Sequence, residues 1–416
     1  MPANLAPLKH RGFRLLWSAG AISDIGTWVQ LATIGTLLIG SGSSAMATAL
    51  VYAATFVPQS VCAPFGGVLA DRIDRRHLFL RSLAVQTVAT ALLATVIAFG
   101  ERRAGVLGMF VFVQAAAGSI GQPALQAVLP DLVPREELTA AVALGITAWN
   151  TGRIVGPLLA LLLGPLGAAG CVGINAVSFA VLWVAIWRMR RSFLPPARVH
   201  ESIAAEMADG ARHLVRLPAV MFACLTLIVM HLTYIPFMGT VPVKAKALFD
   251  EPKLAETVLR RTVGLLMSAQ GLGAVIGSLL VAHMMQRAKR SQIIFAGLLF
   301  GSLSCAAYAI APSLLTAMPM IACAGGATSV LASLFGGVVQ REAPAAHRGR
   351  VLSWYQGSMG ISYGFGLLLL GRLADTSGIV RALCISSAVM FVLTLLGSAT
   401  IPRWRNYLDG GDTVKP

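Results

Sequence analysis

The chain has 416 residues, of which 56% are hydrophobic and 12% charged, with a mean hydropathy of +0.75. A water-soluble core could not hide that much apolar surface, so a soluble enzyme or soluble binding domain is excluded and the chain belongs in a bilayer. A net charge of +16 would suit nucleic acid, but the 33 Lys and Arg residues are spread over many short polar segments and are not gathered on one domain.

In chain order, apolar runs of membrane-spanning length are expected as helices at 15–40, 45–70, 77–99, 105–127, 141–164 and 169–187, then at 218–243, 262–283, 291–311, 314–340, 350–371 and 380–401. The fold class is therefore an all-α membrane protein of twelve transmembrane helices in two pseudo-symmetric six-helix bundles. A polar stretch with Pro195-Pro196 separates the halves, giving a first bundle at 1–187, a cytoplasmic linker at 188–217 and a second bundle with its tail at 218–416. The first apolar run is too long for a cleavable signal peptide and is expected to anchor the chain. With both termini cytoplasmic, about two thirds of the Lys and Arg residues fall on the cytoplasmic side, the bias expected of a bacterial inner-membrane protein. The one sizeable outer loop, 244–261, is charged and has room for a short surface helix.

Several chemistries find no support. The six cysteines lie in or at the edge of apolar runs without metal-ligand spacing, which reads as packing. No Gly-Lys-Ser/Thr phosphate loop is present, so ATP is not the direct energy source. No buried nucleophile–base set stands out, so an enzyme is not expected, nor a metal or other cofactor.

The segment Gly67-Val68-Leu69-Ala70-Asp71-Arg72-Ile73-Asp74-Arg75-Arg76 ends the second apolar run and turns into the third. It resembles the loop between helices 2 and 3 of the major facilitator superfamily, with Asp74 where that family usually has a second Gly. Further likeness lies in Phe13-Arg14-Leu15-Leu16-Trp17, Ser23-Asp24-Ile25-Gly26, Gln122-Pro123-Ala124-Leu125-Gln126, Gly152-Arg153-Ile154-Val155-Gly156-Pro157 and Arg348-Gly349-Arg350-Val351-Leu352-Ser353. Together these resemble the branch that includes the enterobactin exporter, itself similar to drug:proton antiporters. The resemblance implies a secondary transporter working by alternating access, complete as a monomer, exporting an amphipathic small molecule such as a siderophore or drug against protons. Neighbours in that branch are associated with siderophores, macrolides and lysophospholipids, so a lysophospholipid flippase is an alternative. A receptor or scaffold that binds without transporting is another.

Of the 17 acids, Asp24 alone falls well inside a helix, and an ionisable group there needs a cavity or a partner. By helical rise Asp24 lies roughly 13 Å deep and Arg153 roughly 18 Å, close enough in level to meet. Asp24 is thus either the coupling proton's carrier, with Arg153 tuning it, or half of a static pair. His231, about 20 Å deep, is a second protonatable candidate or an ordinary interhelical hydrogen-bonder. Gly152, Gly156 and Pro157, with Gly145 nearby, resemble the antiporter motif, where small residues allow close helix approach and Pro permits a bend. Gly67, Asp71, Arg72, Arg75 and Arg76 are gating candidates by the resemblance, the arginines pairing with acids across the cytoplasmic seam; a solvated basic loop is the alternative. Trp28, Gln114, Gln270, Tyr234, Tyr355, Gln356 and Tyr363 are candidates for a mostly apolar substrate cavity with few polar points, or for interhelical bonds.

Overall fold

A computed structural model describes residues 3–189, 211–249, 255–343, 348–400 and 408–409. Among these there is no strand, and besides a helical stretch at 211–216 thirteen α-helices follow in order. They are α1 (Arg11–Gly40), α2 (Ala45–Arg72), α3 (Arg75–Ala98), α4 (Ala104–Val128), α5 (Leu138–Leu162), α6 (Gly167–Arg188), α7 (Pro218–Leu232), α8 (Val241–Ala247), α9 (Glu256–Arg287), α10 (Arg290–Ile310), α11 (Leu314–Glu342), α12 (Arg348–Ser377) and α13 (Ile379–Thr400). Nine helices among the described residues are long and apolar enough to cross a membrane on those criteria alone. To these are added α5, whose middle is made polar by Trp149-Asn150-Thr151-Gly152-Arg153, α12, which carries Gln356 and Ser358 near its start, and the divided crossing formed by α7 and α8. The outward side chains are themselves apolar, as at Val88, Leu279, Leu315 and Phe365, which fits helices facing lipid and not water.

The expected single helix at 218–243 is corrected. α7 stops at Leu232, a 3-10 turn runs Ile235–Met238, and α8 restarts at Val241. Pro236 supplies the reason: it has no N–H to donate, and its ring would strike the carbonyl of Leu232 four residues back. Pro242 then occupies the first turn of α8, where a missing N–H costs nothing. The outer loop expected at 244–261, with room for a short surface helix, includes residues 250–254, which lie outside those described. α8 is packed inward, with Lys244 only 2% exposed, because its ammonium donates to the Ala311 carbonyl at 3.1 Å. That carbonyl caps the C-terminus of α10, the end of a helix that favours a cation.

Helix starts follow local chemistry. Ser44 caps α2 by accepting from Ala47 N, and Asp74 caps α3 by accepting from Arg76 N at 2.8 Å and His77 N at 3.1 Å. Such caps contribute about 1 kcal/mol each. The residue that departs from the superfamily pattern therefore has work of its own at the start of α3.

The chain forms two compact units, one containing α1–α6 and α9 as far as Ser268, the other containing α7, α8, the rest of α9 and α10–α13. In each unit a pair of helices crosses almost backbone to backbone. In the first, α2 meets α4 where Gly66 faces the Ile120 carbonyl. In the second, Gly273 and Gly277 of α9 face the carbonyls of Ala322 and Gly326 on α11. A Cβ at any of these glycines would overlap a carbonyl oxygen, which is why small residues recur there.

Candidate functional site

In the first unit α1 and α5 lie side by side, and their closest approach is at the candidate residues. A Cβ on Gly152 would come within 3.1 Å of the Asp24 carbonyl carbon and of Trp28 Cδ1, and one on Gly156 within 2.5 Å of Trp28 Cβ. The Gly-x-x-x-Gly spacing thus forms a smooth strip of α5 against which the Asp24–Trp28 turn of α1 rests. Pro157 continues the strip: its carbonyl would stand 2.9 Å from a Cβ on Gly264 of α9, and Ser268 donates to the Ile154 carbonyl at 2.7 Å. α5 is therefore held between α1 and the first half of α9. Gly145, by contrast, faces open space.

On this strip the aromatic and charged groups sort themselves. The Arg153 guanidinium lies 5.8 Å from the centre of the Trp28 ring, a cation–π arrangement. Trp149 meets Trp28 at 5.5 Å between ring centres. Among the described residues the buried Trp28 indole N–H has no acceptor. Asp24 is only partly buried, and among the described residues no hydrogen bond or ion pair reaches its carboxylate. Arg153 lies over the Trp28 face, and among the described residues no hydrogen bond or ion pair joins it to Asp24.

A second side of α1 carries a polar feature of which Gln114 alone was among the candidate residues. Asn175 Nδ2 of α6 donates to Gln30 Oε1 at 2.7 Å, and Gln30 Nε2 donates to Gln114 Oε1 of α4 at 2.7 Å. Ser178 Oγ lies 3.0 Å from Asn175 Oδ1 and 2.7 Å from the Asn175 carbonyl. All four side chains are buried. α6 comes this close to α1 because position 26 is Gly: a Cβ there would stand 2.6 Å from Asn175 Oδ1 and 2.7 Å from Ser178 Oγ. Gln30 and Asn175 are amides within apolar runs, a signal available in the sequence, but their pairing across distant helices is not.

The basic loop is organised by backbone carbonyls. Arg75 donates to the Ala127 carbonyl at 3.1 Å, and Arg76 to the carbonyls of Ile186 at 3.2 Å and Trp187 at 2.7 Å. These oxygens belong to the last turns of α4 and α6, where intrahelical donors run out and the negative end of the dipole lies. Among the described residues both arginines thus bond carbonyls within the first unit. Arg72 ends α2 and is exposed, and the Asp71 side chain lies outside the described residues. Gly67 faces open space; Gly66 beside it is the glycine pressed against α4.

In the second unit, His231 Nδ1 donates to the Leu227 carbonyl at 2.7 Å and its ring meets Tyr363 edge-on at 6.0 Å. Gly366 of α12 packs directly on the His231 carbonyl. Tyr234 is fully buried, its hydroxyl 3.3 Å from Thr328 Oγ1 and its ring stacked on Phe237, which meets Tyr308 edge-on at 6.4 Å. Gln270 lies at the tight crossing of α9 and α11, beside Gly325. Tyr355 is buried and Gln356 exposed on α12. A groove of about 390 Å³ between α3 and α4, lined by Val85, Val88, Leu92, Met109, Phe110 and Val113 among others, is apolar and includes none of the candidate residues. Among the described residues no His/Cys/Asp/Glu cluster could hold a metal.

Helices of this length and order, an antiporter-like strip on α5 and a basic helix 2–3 loop meet a family model described as transmembrane secretion effector, which matches residues 2–409. The chain belongs to this family of major facilitator transporters. It is 23% identical over 407 residues to multidrug efflux pump Tap of Mycolicibacterium fortuitum, covering 95% of this chain and 97% of that one. It is 25% identical over 405 residues to enterobactin exporter EntS of Shigella boydii serotype 4 (strain Sb227), covering 95% and 92%. Among solved structures it is similar to a point mutant of the nucleoside transporter NupG, with a TM-score of 0.80 at 13% identity over 94% of this chain and 99% of that one. The chain is thus a multi-pass membrane transporter and not an enzyme.

Proposed function

We propose that the chain exports an amphipathic small molecule against proton entry, by alternating access, in a bacterial inner membrane with both termini cytoplasmic. The observation that carries the reading is Asp24: a carboxylate inside α1, without a protein partner among the described residues, seated on the Gly152–Pro157 strip. A lone acid in a spanning helix is functional by default because its charged form is costly there. A partly open carboxylate can exchange a proton with water, whereas a salt-bridged one is held ionised. Arg153 stacked on Trp28 places a cation on the same strip without neutralising the acid. The efflux functions of Tap and EntS support the outward direction, and the apolar setting of a few polar groups supports an amphiphile as cargo. Gating is assigned to the Gly67–Arg76 loop, with His231 as the second protonatable group.

Proteoliposomes with an imposed pH gradient test this, using a macrolide and a catecholate siderophore as cargo. Wild type is expected to accumulate one or both, and Asp24→Asn to lose gradient-driven accumulation at least about tenfold while still binding cargo. Uphill transport by Asp24→Asn with unchanged pH dependence would sink the coupling role. Gradient-independent movement of labelled lysophospholipid would favour a flippase, and binding without accumulation a receptor.

A further inference from the structure

The amides of Gln30, Gln114 and Asn175 form a directed chain across three helices, and only one end is closed. At the α6 end, Ser178 Oγ meets both Asn175 Oδ1 and the Asn175 carbonyl. At the α4 end, Gln114 Oε1 accepts from Gln30, which leaves the Gln114 –NH₂ to point onward. That nitrogen donates to no described group, and it is not among the sealed, partnerless polar atoms, a set that does include Trp28 Nε1 and Thr90 Oγ1. With 7% exposure, Gln114 is a mostly buried side chain whose amide end is not fully sealed.

A chain of this kind has two states that each keep both amide-to-amide hydrogen bonds. If all three amides turn over together, Gln114 Nε2 donates to Gln30, Gln30 donates to Asn175, and Asn175 Nδ2 donates to Ser178 Oγ. The Ser178 hydroxyl then gives its hydrogen to the Asn175 carbonyl, already at 2.7 Å. Neither amide-to-amide bond is lost, since each amide has both a donor and an acceptor end. What changes is the free end: –NH₂ in one state, C=O in the other.

We infer that Gln114, oriented through Gln30 and Asn175, is a hydrogen-bonding subsite for an uncharged polar group of the cargo, and that concerted reversal of the amide chain lets it serve either an acceptor or a donor. The inference rests on the exporter reading and deepens it by naming the chemistry of the cargo's polar point. A neutral carbonyl, ester, amide N–H or pyrrole N–H fits, because the chain is built from neutral groups only. A cargo anion would find no cation in the chain. Gln114 is the contacting residue; Gln30, Asn175 and Ser178 are positioning residues.

The test uses three dansyl amphiphiles of equal length, ended by a methyl ester (acceptor), a pyrrole (donor) or an alkyl group (neither), binding to the purified transporter. Wild type is expected to bind both polar probes better than the alkyl one. Gln114→Leu, at the end of the chain and leaving the Gln30–Asn175 bond in place, is expected to lower both polar affinities about tenfold and leave the alkyl probe unchanged. Asn175→Asp supplies a readout that mere loosening would not give. Ionised, the new carboxylate only accepts, so it draws Gln30 Nε2 toward itself and turns the Gln114 carbonyl outward, favouring pyrrole; protonated, it restores the original direction and favours ester. The ester-to-pyrrole ratio should therefore become pH-dependent in Asn175→Asp and stay flat in wild type. Wild-type polar affinities in Gln114→Leu, or a flat ratio in a folded Asn175→Asp, overturn the inference. Gradient-driven accumulation of the alkyl probe by wild-type proteoliposomes reports separately on the exporter reading.

Discussion

The first crossing of the N-terminal unit is a single helix, α1, tied sideways to α4 and α6 by side-chain amides, whereas the first crossing of the C-terminal unit breaks between Leu232 and Val241. Both must keep polar groups satisfied in hydrocarbon. α1 keeps every backbone bond and spends its side chains on partners; α7 and α8 give up backbone continuity at Pro236 and fill the break with the rings of Tyr234, Phe237 and Tyr308. The difference shows that two halves of one pseudo-repeat can share helix order while one is specified by hydrogen-bond direction and the other by ring packing.

The largest expected effect tests what the units share. Gly273→Ala would drive a methyl into the Ala322 carbonyl, and overpacking of this kind costs about 1–3 kcal/mol or more. Gly66→Ala should behave alike and Gly67→Ala should be silent, since Gly67 faces open space. Thermal unfolding of detergent-solubilised protein orders the three; equal midpoints would mean that the close crossings do not organise the units.

Next comes the polar contrast. Gln30→Leu strands both Asn175 Nδ2 and Gln114 Oε1, and each orphaned buried group costs about 1–3 kcal/mol. Tyr308→Phe removes a buried hydroxyl that has no partner among the described residues, so stability should hold or rise by up to about 1 kcal/mol. If both substitutions destabilise equally, the distinction between an amide-specified unit and a ring-packed one fails.

The smallest effect lies in the turn between α3 and α4. Arg103 hydrogen-bonds the Glu101 carboxylate, with a side-chain contact at 2.6 Å, and holds its pKa down, to about 2. A carboxylate depressed on folding stabilises above its unfolded pKa, and the contribution fades as pH falls from about 4.5 toward 2. Glu101→Gln should therefore lower the unfolding midpoint slightly at pH 7, less at pH 3, and hardly at all once the pH falls below about 2, with the gap reduced by salt. A gap independent of pH would assign the effect to packing.

Most helix positions were legible from apolar runs alone, since a run of sufficient length in lipid has one outcome. The break at 233–240 was not, because Ile235, Phe237 and Met238 keep the run apolar through Pro236, and hydropathy is blind to a missing N–H. Asp24 and the Gly152–Pro157 strip were legible as a rare acid and a small-residue spacing, and depth along the helices brought Asp24 and Arg153 to one level. Depth says nothing of rotation, so the Trp28 face that Arg153 takes in place of the carboxylate was out of reach. Arg75 and Arg76 were visible as cations, but their carbonyl partners carry no side-chain signature. Asp74, conspicuous as a departure from the superfamily loop, proved to be a helix cap.

The amide tie has a consequence for how the protein is made. Gln30 finds its acceptor 84 residues later in the chain and its donor 145 residues later. During synthesis α1 enters the membrane long before either exists, carrying a bare amide and a carboxylate that lipid tolerates poorly. The nascent helix must therefore wait in a wet or protein-lined place, at the insertion machinery, until α6 arrives. Ribosome-bound chains truncated just before and just after α6 should differ sharply in whether α1 can be extracted or crosslinked to lipid, and that boundary marks the moment when the first half of the transporter closes.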